Sequence, residues 1–173
     1  MLWLFTDAAR LPDPRAAVAR LPRGLCGVVL RHDASPGRAR LGAELARLCR
    51  ARRLTLCIAG DAALAARLGA GLHLRDGRHP PGPRCARVVT SSAHGRADLR
   101  RAARAGAALA FLSPVWPTAS HPGAPGLGLL RWRTLARQAA IPVCALGGVE
   151  AGRVGALRAA IICAGAGAIG ALS

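Results

Sequence analysis

Short apolar runs recur along the whole chain, separated by stretches in which arginines occupy one helical face and leucine or alanine the other. The runs lie at residues 2–6, 24–31, 54–59, 71–75, 87–90, 109–115, 142–146 and 166–172. Each is brief and nearly continuous in apolar side chains, the pattern of a strand buried on both faces. The stretches between them predict helices over 15–21, 36–53, 62–68, 96–105, 129–139 and 151–162. In the second of these, Leu41, Leu45 and Leu48 recur at helical spacing. Ser35 followed by Pro36 reads there as an N-cap with proline at the first helical position. In the helix from 129, Leu130, Leu135 and Ala136 are expected to point inward. Gly106 stops the helix before it. Residues 76–83 form a Gly/Pro/Arg loop with no helical pattern.

Strands alternating with helices predict a parallel sheet covered by helices. Eight such units favour closure into a (β/α)8 TIM barrel, here short and lacking some helices, with residues 1–173 as one domain. An open doubly wound sheet is the structural alternative. In a barrel the reacting groups stand where strands end, and these strand ends carry Arg31, Asp61, Arg75, Ser92, Thr118, Ser120 and the pair Gly147-Gly148. The glycine pair closes an apolar run and lets backbone N–H groups approach an anion. Taken singly, several of these residues have plainer roles. Asp61 suits the N-cap of the following helix as well as a metal, and the two roles are compatible. Thr118 and Ser120 suit turn caps beside Pro117 and Pro122. His73 reads as a hydrogen-bonded core histidine and His94 as a surface loop residue.

Composition changes the picture little. At 52% hydrophobic residues and a mean hydropathy of +0.29, the chain of 173 residues builds a packed core and not a disordered segment. The formal charge of +17 would suit nucleic acid, yet all 25 basic residues are arginines spread along the chain. The shortage of aromatic rings removes the stacking platforms of single-strand binders. The expected partners are small phosphorylated substrates, with no nucleic acid and no membrane; a homo-oligomer is left open. Six cysteines without a C-x-x-C pair read as reduced core residues of a cytoplasmic protein. The N-terminus has no basic flank and too short an apolar run for a signal peptide.

The strand ends also carry a resemblance. Ser113-Pro-Val-Trp-Pro-Thr-Ala-Ser-His121 resembles the G-P-V-F-x-T-x-S/T-K segment of thiamine-phosphate synthases and their TenI-like relatives. Ile141-Pro-Val-Cys-Ala-Leu-Gly-Gly-Val149 resembles their I-P-V-v-A-I-G-G-I. Val28 to Arg31 is similar to V-Q-L-R, Gly60-Asp61 to N-D, Gly71 to Leu74 to G-v-H-L, and Thr90 to His94 to G-x-S-x-H. The resemblance implies a TIM barrel that joins hydroxymethylpyrimidine diphosphate to thiazole phosphate, with Mg²⁺, and releases pyrophosphate. It assigns Arg31, Ser92, Ser120 and His121 to catalysis. It puts phosphate on Arg31, Thr118, Ser120, Gly147, Gly148 and Gly167, and Mg²⁺ on Asp61, with Asp76 as the nearest second carboxylate. The chain departs from the pattern at Val29 (Gln in the family), Asp33 (Lys), Gly60 (Asn) and His121 (Lys). A TenI-like tautomerase, or a paralogue that binds phosphate ligands with reduced catalysis, is therefore the alternative. Pro114, where tautomerases carry His, favours the synthase branch.

Overall fold

The computed structural model describes residues 1–33, 35–84, 87–118, 123, 125–158 and 163–168. Eight strands close into a barrel: β1 (Leu2–Phe5), β2 (Cys26–Leu30), β3 (Thr55–Ala59), β4 (Gly71–Leu74), β5 (Val89–Ala93), β6 (Leu109–Leu112), β7 (Val143–Ala145) and β8 (Cys163–Ala168). Every neighbouring pair is parallel, and β1 closes on β8 with Leu2 opposite Ala166 and Leu4 opposite Ala168. The helices are α1 (Arg15–Arg20), α2 (Arg38–Arg52), α3 (Ala62–Leu68), α4 (Arg96–Arg104), α5 (Leu129–Arg137) and α6 (Val154–Arg158), the last preceded by a 3-10 turn at Ala151–Arg153. The closed barrel is the expected fold, and the open sheet is excluded by the β1–β8 pairing. Among the described residues no helix intervenes between β4 and β5, as the Gly/Pro/Arg loop predicted. None of the described helices is long and apolar enough to cross a membrane.

Strand alternation sorts the core. Outward residues such as Leu4, Val28, Leu30 and Ile58 pack under Val18, Leu45 and Leu64 of the helices. On the other side, Leu112, Val143 and Ala145 pack against Leu99, Trp132 and Leu157. Inward residues fill the lumen: Trp3, Phe5, Val29, Cys57, Ala59, Phe111 and Cys144. Three large rings fit because the residues facing them are small. Phe111 meets Trp3 and Phe5 edge-on, with centroids 5.3 and 4.7 Å apart. A Cβ on Gly27 would lie 2.3 Å from the Trp3 ring.

Four local readings change. Helix α2 begins at Arg38, not at Pro36, because Gly37 takes φ +77°, outside the helical region; Ser35 makes no side-chain cap. In α5 the inward pair is Trp132 and Ala136, while Leu130 is 80% exposed. Trp132 wins the inward position by donating its indole N–H to the Leu112 carbonyl at 3.1 Å. Strand β5 runs on through Ser91 and Ser92, which the sequence put in a loop. The Ser91 hydroxyl accepts from the Gly77 N–H and donates to the Ser92 carbonyl, so its burial costs no hydrogen bond. Strand β8 starts at Cys163, and the predicted continuation to 172 passes beyond the described residues.

Candidate active site

At the C-terminal end of the barrel a cavity of about 580 Å³ is lined from all eight strands or the residues just after them. Phe5 comes from β1, Arg31 follows β2, Ala59 ends β3, and His73 with Arg75 and Asp76 comes from β4. Ser92 comes from β5, Ser113 and Pro114 follow β6, Leu146 to Gly148 follow β7, and Gly167 with Ala168 belongs to β8. Thr118, Pro117 and Pro125 of the β6–α5 loop form the far rim. The strand-end residues Arg31, Ser92, Thr118, Gly147, Gly148 and Gly167 thus share one mouth, though they are far apart in sequence. Ser120 and His121 lie outside the described residues.

The glycine pair after β7 is required by packing as well as by conformation. Gly147 and Gly148 have φ of +84° and +66°. A Cβ on Gly147 would come 2.8 Å from Pro114, and one on Gly148 2.7 Å from Trp116. Trp116 N–H donates to the Gly147 carbonyl at 3.2 Å, and Arg153 donates to the Gly148 carbonyl at 3.0 Å while its guanidinium stands 5.3 Å over the Trp116 ring. Two loops are clamped together this way, and backbone amides are brought to the cavity wall.

The floor is apolar and neutral. His73 is buried, its Nδ1 is 2.9 Å from the Thr90 hydroxyl, and Phe5 meets its ring edge-on at 5.5 Å. Burial first, then the charges of Arg31 and Arg75, push its pKa down from 6.5 to about 3. It is therefore an uncharged imidazole at neutral pH and a structural part of the floor, as the sequence suggested. The two arginines that act on it stand at the mouth above. Against burial, the backbone N–H groups of Arg10 and Ala9 and the charges of Arg10 and Arg31 hold the Asp7 carboxyl below its ordinary pKa, and the Arg31 backbone N–H is held by Thr6 Oγ1 at 3.0 Å.

A cluster of polar groups lines the β4–β5 side. Ser92 Oγ accepts from the Asp76 N–H and donates to Asp76 Oδ1, both at 3.0 Å. His94 donates from Nδ1 to the Ser113 carbonyl at 2.9 Å, and its Nε2 stands 3.6 Å from Asp76 Oδ1. Sequence reasoning left His94 as a loop residue; its position two residues beyond Ser92, on the cavity wall, was the available signal.

Asp61 stands apart. It follows β3 but does not line the cavity. Its Oδ1 accepts the Leu64 N–H at 2.8 Å as the N-cap of α3, and its Oδ2 is 3.4 Å from Arg38 Nη1. Arg38 also reaches Asp33 at 3.3 Å, and Asp33 reaches Arg75 at 2.5 Å. With side chains 59% and 40% exposed, the Arg75–Asp33 pair is worth less than about 1 kcal/mol. Magnesium usually takes one or two carboxylates together with phosphate oxygens. Among the described residues no three His, Cys, Asp or Glu side chains form a metal-holding group. Asp76 lines the cavity and Asp61 does not, so the cavity lining does not present the pair of carboxylates that the resemblance implies for Mg²⁺.

A parallel eight-stranded barrel whose strand ends converge on an arginine-bearing, glycine-walled mouth defines a TIM-barrel protein built for phosphorylated ligands. The family model described as thiamine monophosphate synthase matches residues 4–171, so the chain belongs to that family. It is 32% identical over 166 residues to a thiamine-phosphate synthase of Thioalkalivibrio sulfidiphilus, covering 90% of this chain and 77% of that protein. It is also 38% identical over 127 residues to one from Chromobacterium violaceum, covering 68% and 60%. Among solved structures, a thiamine phosphate pyrophosphorylase from Pyrococcus furiosus superposes with a TM-score of 0.78 at 21% identity, covering 97% of this chain and 84% of that one; this likeness is one of fold.

Proposed function

We propose that this chain is a cytoplasmic thiamine-phosphate synthase-type transferase, coupling hydroxymethylpyrimidine diphosphate to thiazole phosphate and releasing pyrophosphate. The observation that carries the reading is the convergence of Arg31, Ser92, Thr118, Gly147, Gly148 and Gly167 on one cavity at the strand ends. In this reading the bond between the pyrimidine methylene carbon and the diphosphate oxygen breaks, the diphosphate keeping the electron pair. The thiazole nitrogen then gives its lone pair to that carbon.

Arg31, a guanidinium fork on the cavity lining, holds the diphosphate and stabilises the charge it gains on leaving. Ser92, fixed by Asp76, stands beside the pyrimidine diphosphate. Thr118, with Ser120 and His121 further along the same loop, faces the diphosphate and the thiazole. The backbone N–H groups at Gly147 and Gly148, with the Gly167 region opposite, take the thiazole phosphate. The apolar floor of Phe5 and neutral His73 keeps water from the cation-like carbon. The resemblance implies Mg²⁺, but none of these roles is assigned to it. Pro114, at the position where tautomerases carry His, lines the mouth and offers no ionisable group there.

The test is turnover by the purified protein with both phosphorylated substrates, followed as thiamine phosphate and pyrophosphate. Formation of both products in equal amounts is expected. Absence of product from the wild-type protein, with Arg31→Ala equally inert, discards the reading.

A further inference from the structure

We infer that the diphosphate is held on the β2–β4 side of the mouth by the guanidinium of Arg75, acting with Arg31, in the place where a divalent cation is implied. The inference rests on the transferase reading, which supplies the diphosphate.

Four observations lead there. First, two of the three carboxylates on this side, Asp33 and Asp61, are already engaged by arginine, while Asp76 is held by Ser92 and His94. Asp33 and Asp61 alternate with Arg75 and Arg38 in a continuous chain of ion pairs, at 2.5 Å from Arg75 to Asp33, 3.3 Å from Asp33 to Arg38 and 3.4 Å from Arg38 to Asp61. Arg38 is fixed in that chain, since its side chain is 14% exposed and Nη2 donates to the Ala59 carbonyl at 2.5 Å. A metal ion at Asp61 would share the carboxylate with this guanidinium and with the Leu64 N–H, and would stand beside the Arg38 charge.

Second, the backbone has made room for Arg75. Gly60 stands at φ +64°, and a Cβ there would lie 3.2 Å from Arg75 Nε and 3.4 Å from its Nη2. A side chain at position 60 would press on the guanidinium and shift it by a few tenths of an ångström, besides straining the left-handed backbone there.

Third, Arg75 remains available to a ligand. Only its Nη2 is committed to Asp33, the side chain is 59% exposed, and the residue lines the cavity. A guanidinium keeps further donors for phosphate oxygens while one is held by a carboxylate. Asp33 then competes with a ligand for one donor of the fork.

Fourth, Arg31 and Arg75 both act electrostatically on the same buried His73 below them, so the two cations face one region of the mouth. A diphosphate spanning them meets two guanidinium charges that already line the cavity, where they can stabilise the charge of a leaving group.

The experiment is calorimetric titration of the full chain with inorganic pyrophosphate, once in EDTA and once in Mg²⁺, for wild type, Arg75→Gln, Arg75→Lys and Asp33→Asn. Thermal unfolding of each variant checks that it is folded. Pyrophosphate is expected to bind in EDTA within about threefold of its affinity in Mg²⁺. Arg75→Gln is expected to weaken binding in EDTA by about tenfold or more, and Arg75→Lys to recover part of the loss, having the charge but not the fork. Asp33→Asn is expected to tighten binding by releasing the guanidinium. Binding seen only with Mg²⁺, or unchanged in EDTA by Arg75→Gln, overturns the inference and leaves the transferase reading standing. No binding in either buffer overturns both. Synthase turnover that survives in EDTA and falls in Arg75→Gln supports the inference independently.

Discussion

Arg31 and His73 sit one above the other, and their environments set opposite chemical fates. Arg31 keeps its charge exposed at the mouth. Replacing it by Ala should lower kcat/KM for the coupling reaction about a hundredfold or more, because the charge it supplies grows in importance as the diphosphate departs. Steady-state kinetics with both substrates measures this. His73 is buried and uncharged, with its pKa lowered from 6.5 to about 3. Between those two values the unfolded chain binds a proton at this position and the folded protein does not. The stability this provides is complete above pH 6.5 and is lost as the pH falls toward about 3. Urea midpoints between about pH 7 and 4 should therefore fall less steeply for His73→Asn than for wild type, by up to about 1.4 kcal/mol per pH unit. Equal slopes in the two proteins would refute the assignment. The thiols of Cys49 and Cys144 are likewise held protonated, burial pushing both up to about 12, in keeping with their reading as core residues.

At the scale of the elements, two contacts decide local stability. Strand β2 passes under the Trp3 ring only because residue 27 has no side chain. Gly27→Ala should cost about 1–3 kcal/mol through overpacking, read as a lower urea midpoint. Helix α3 begins on Asp61, so Asp61→Ala should cost about 1 kcal/mol, whereas Asp61→Asn, still a good cap, should cost much less. A thermal unfolding series separates the two. Strand and helix order was readable from periodicity, and α3 was predicted with its observed bounds, Ala62–Leu68. The misreadings share one cause. Ser35, Leu130 and the Ser91-Ser92 pair were judged on their own chemistry, but each was decided by a partner distant in sequence or by a backbone angle. Leu130 suits a helix interior by hydropathy, yet the Leu112 carbonyl recruits the Trp132 indole and turns the helix so that Leu130 faces solvent.

For the molecule as a whole, a charge of +17 surrounds a mouth whose own lining is balanced, with Arg10, Arg31 and Arg75 against Asp33, Asp76 and Glu150. Its long-range field should draw phosphorylated substrates in and be screened by salt. Raising ionic strength from about 20 to about 200 mM should lower kcat/KM severalfold while kcat changes little. A fall confined to kcat would contradict this.

The amino-acid pattern alone determined a parallel sheet covered by helices and favoured a barrel over an open sheet, because eight buried strands in alternation with helices leave few ways to cover both faces; closure itself shows in the β1–β8 pairing. The same pattern led to the expectation that the strand ends share one mouth, and Arg31, Ser92, Thr118 and the Gly147-Gly148 pair do line one cavity, whereas Asp61 does not. Which charge pairs with which was decided only by the tertiary structure. Asp61 could cap, bind metal or do both until folding brought Arg38 against it, and Arg75 had no visible role until Gly60 left space for it beside Asp33. Such pairings depend on distances of a few ångströms between residues tens of positions apart, and closure of the barrel is what sets those distances.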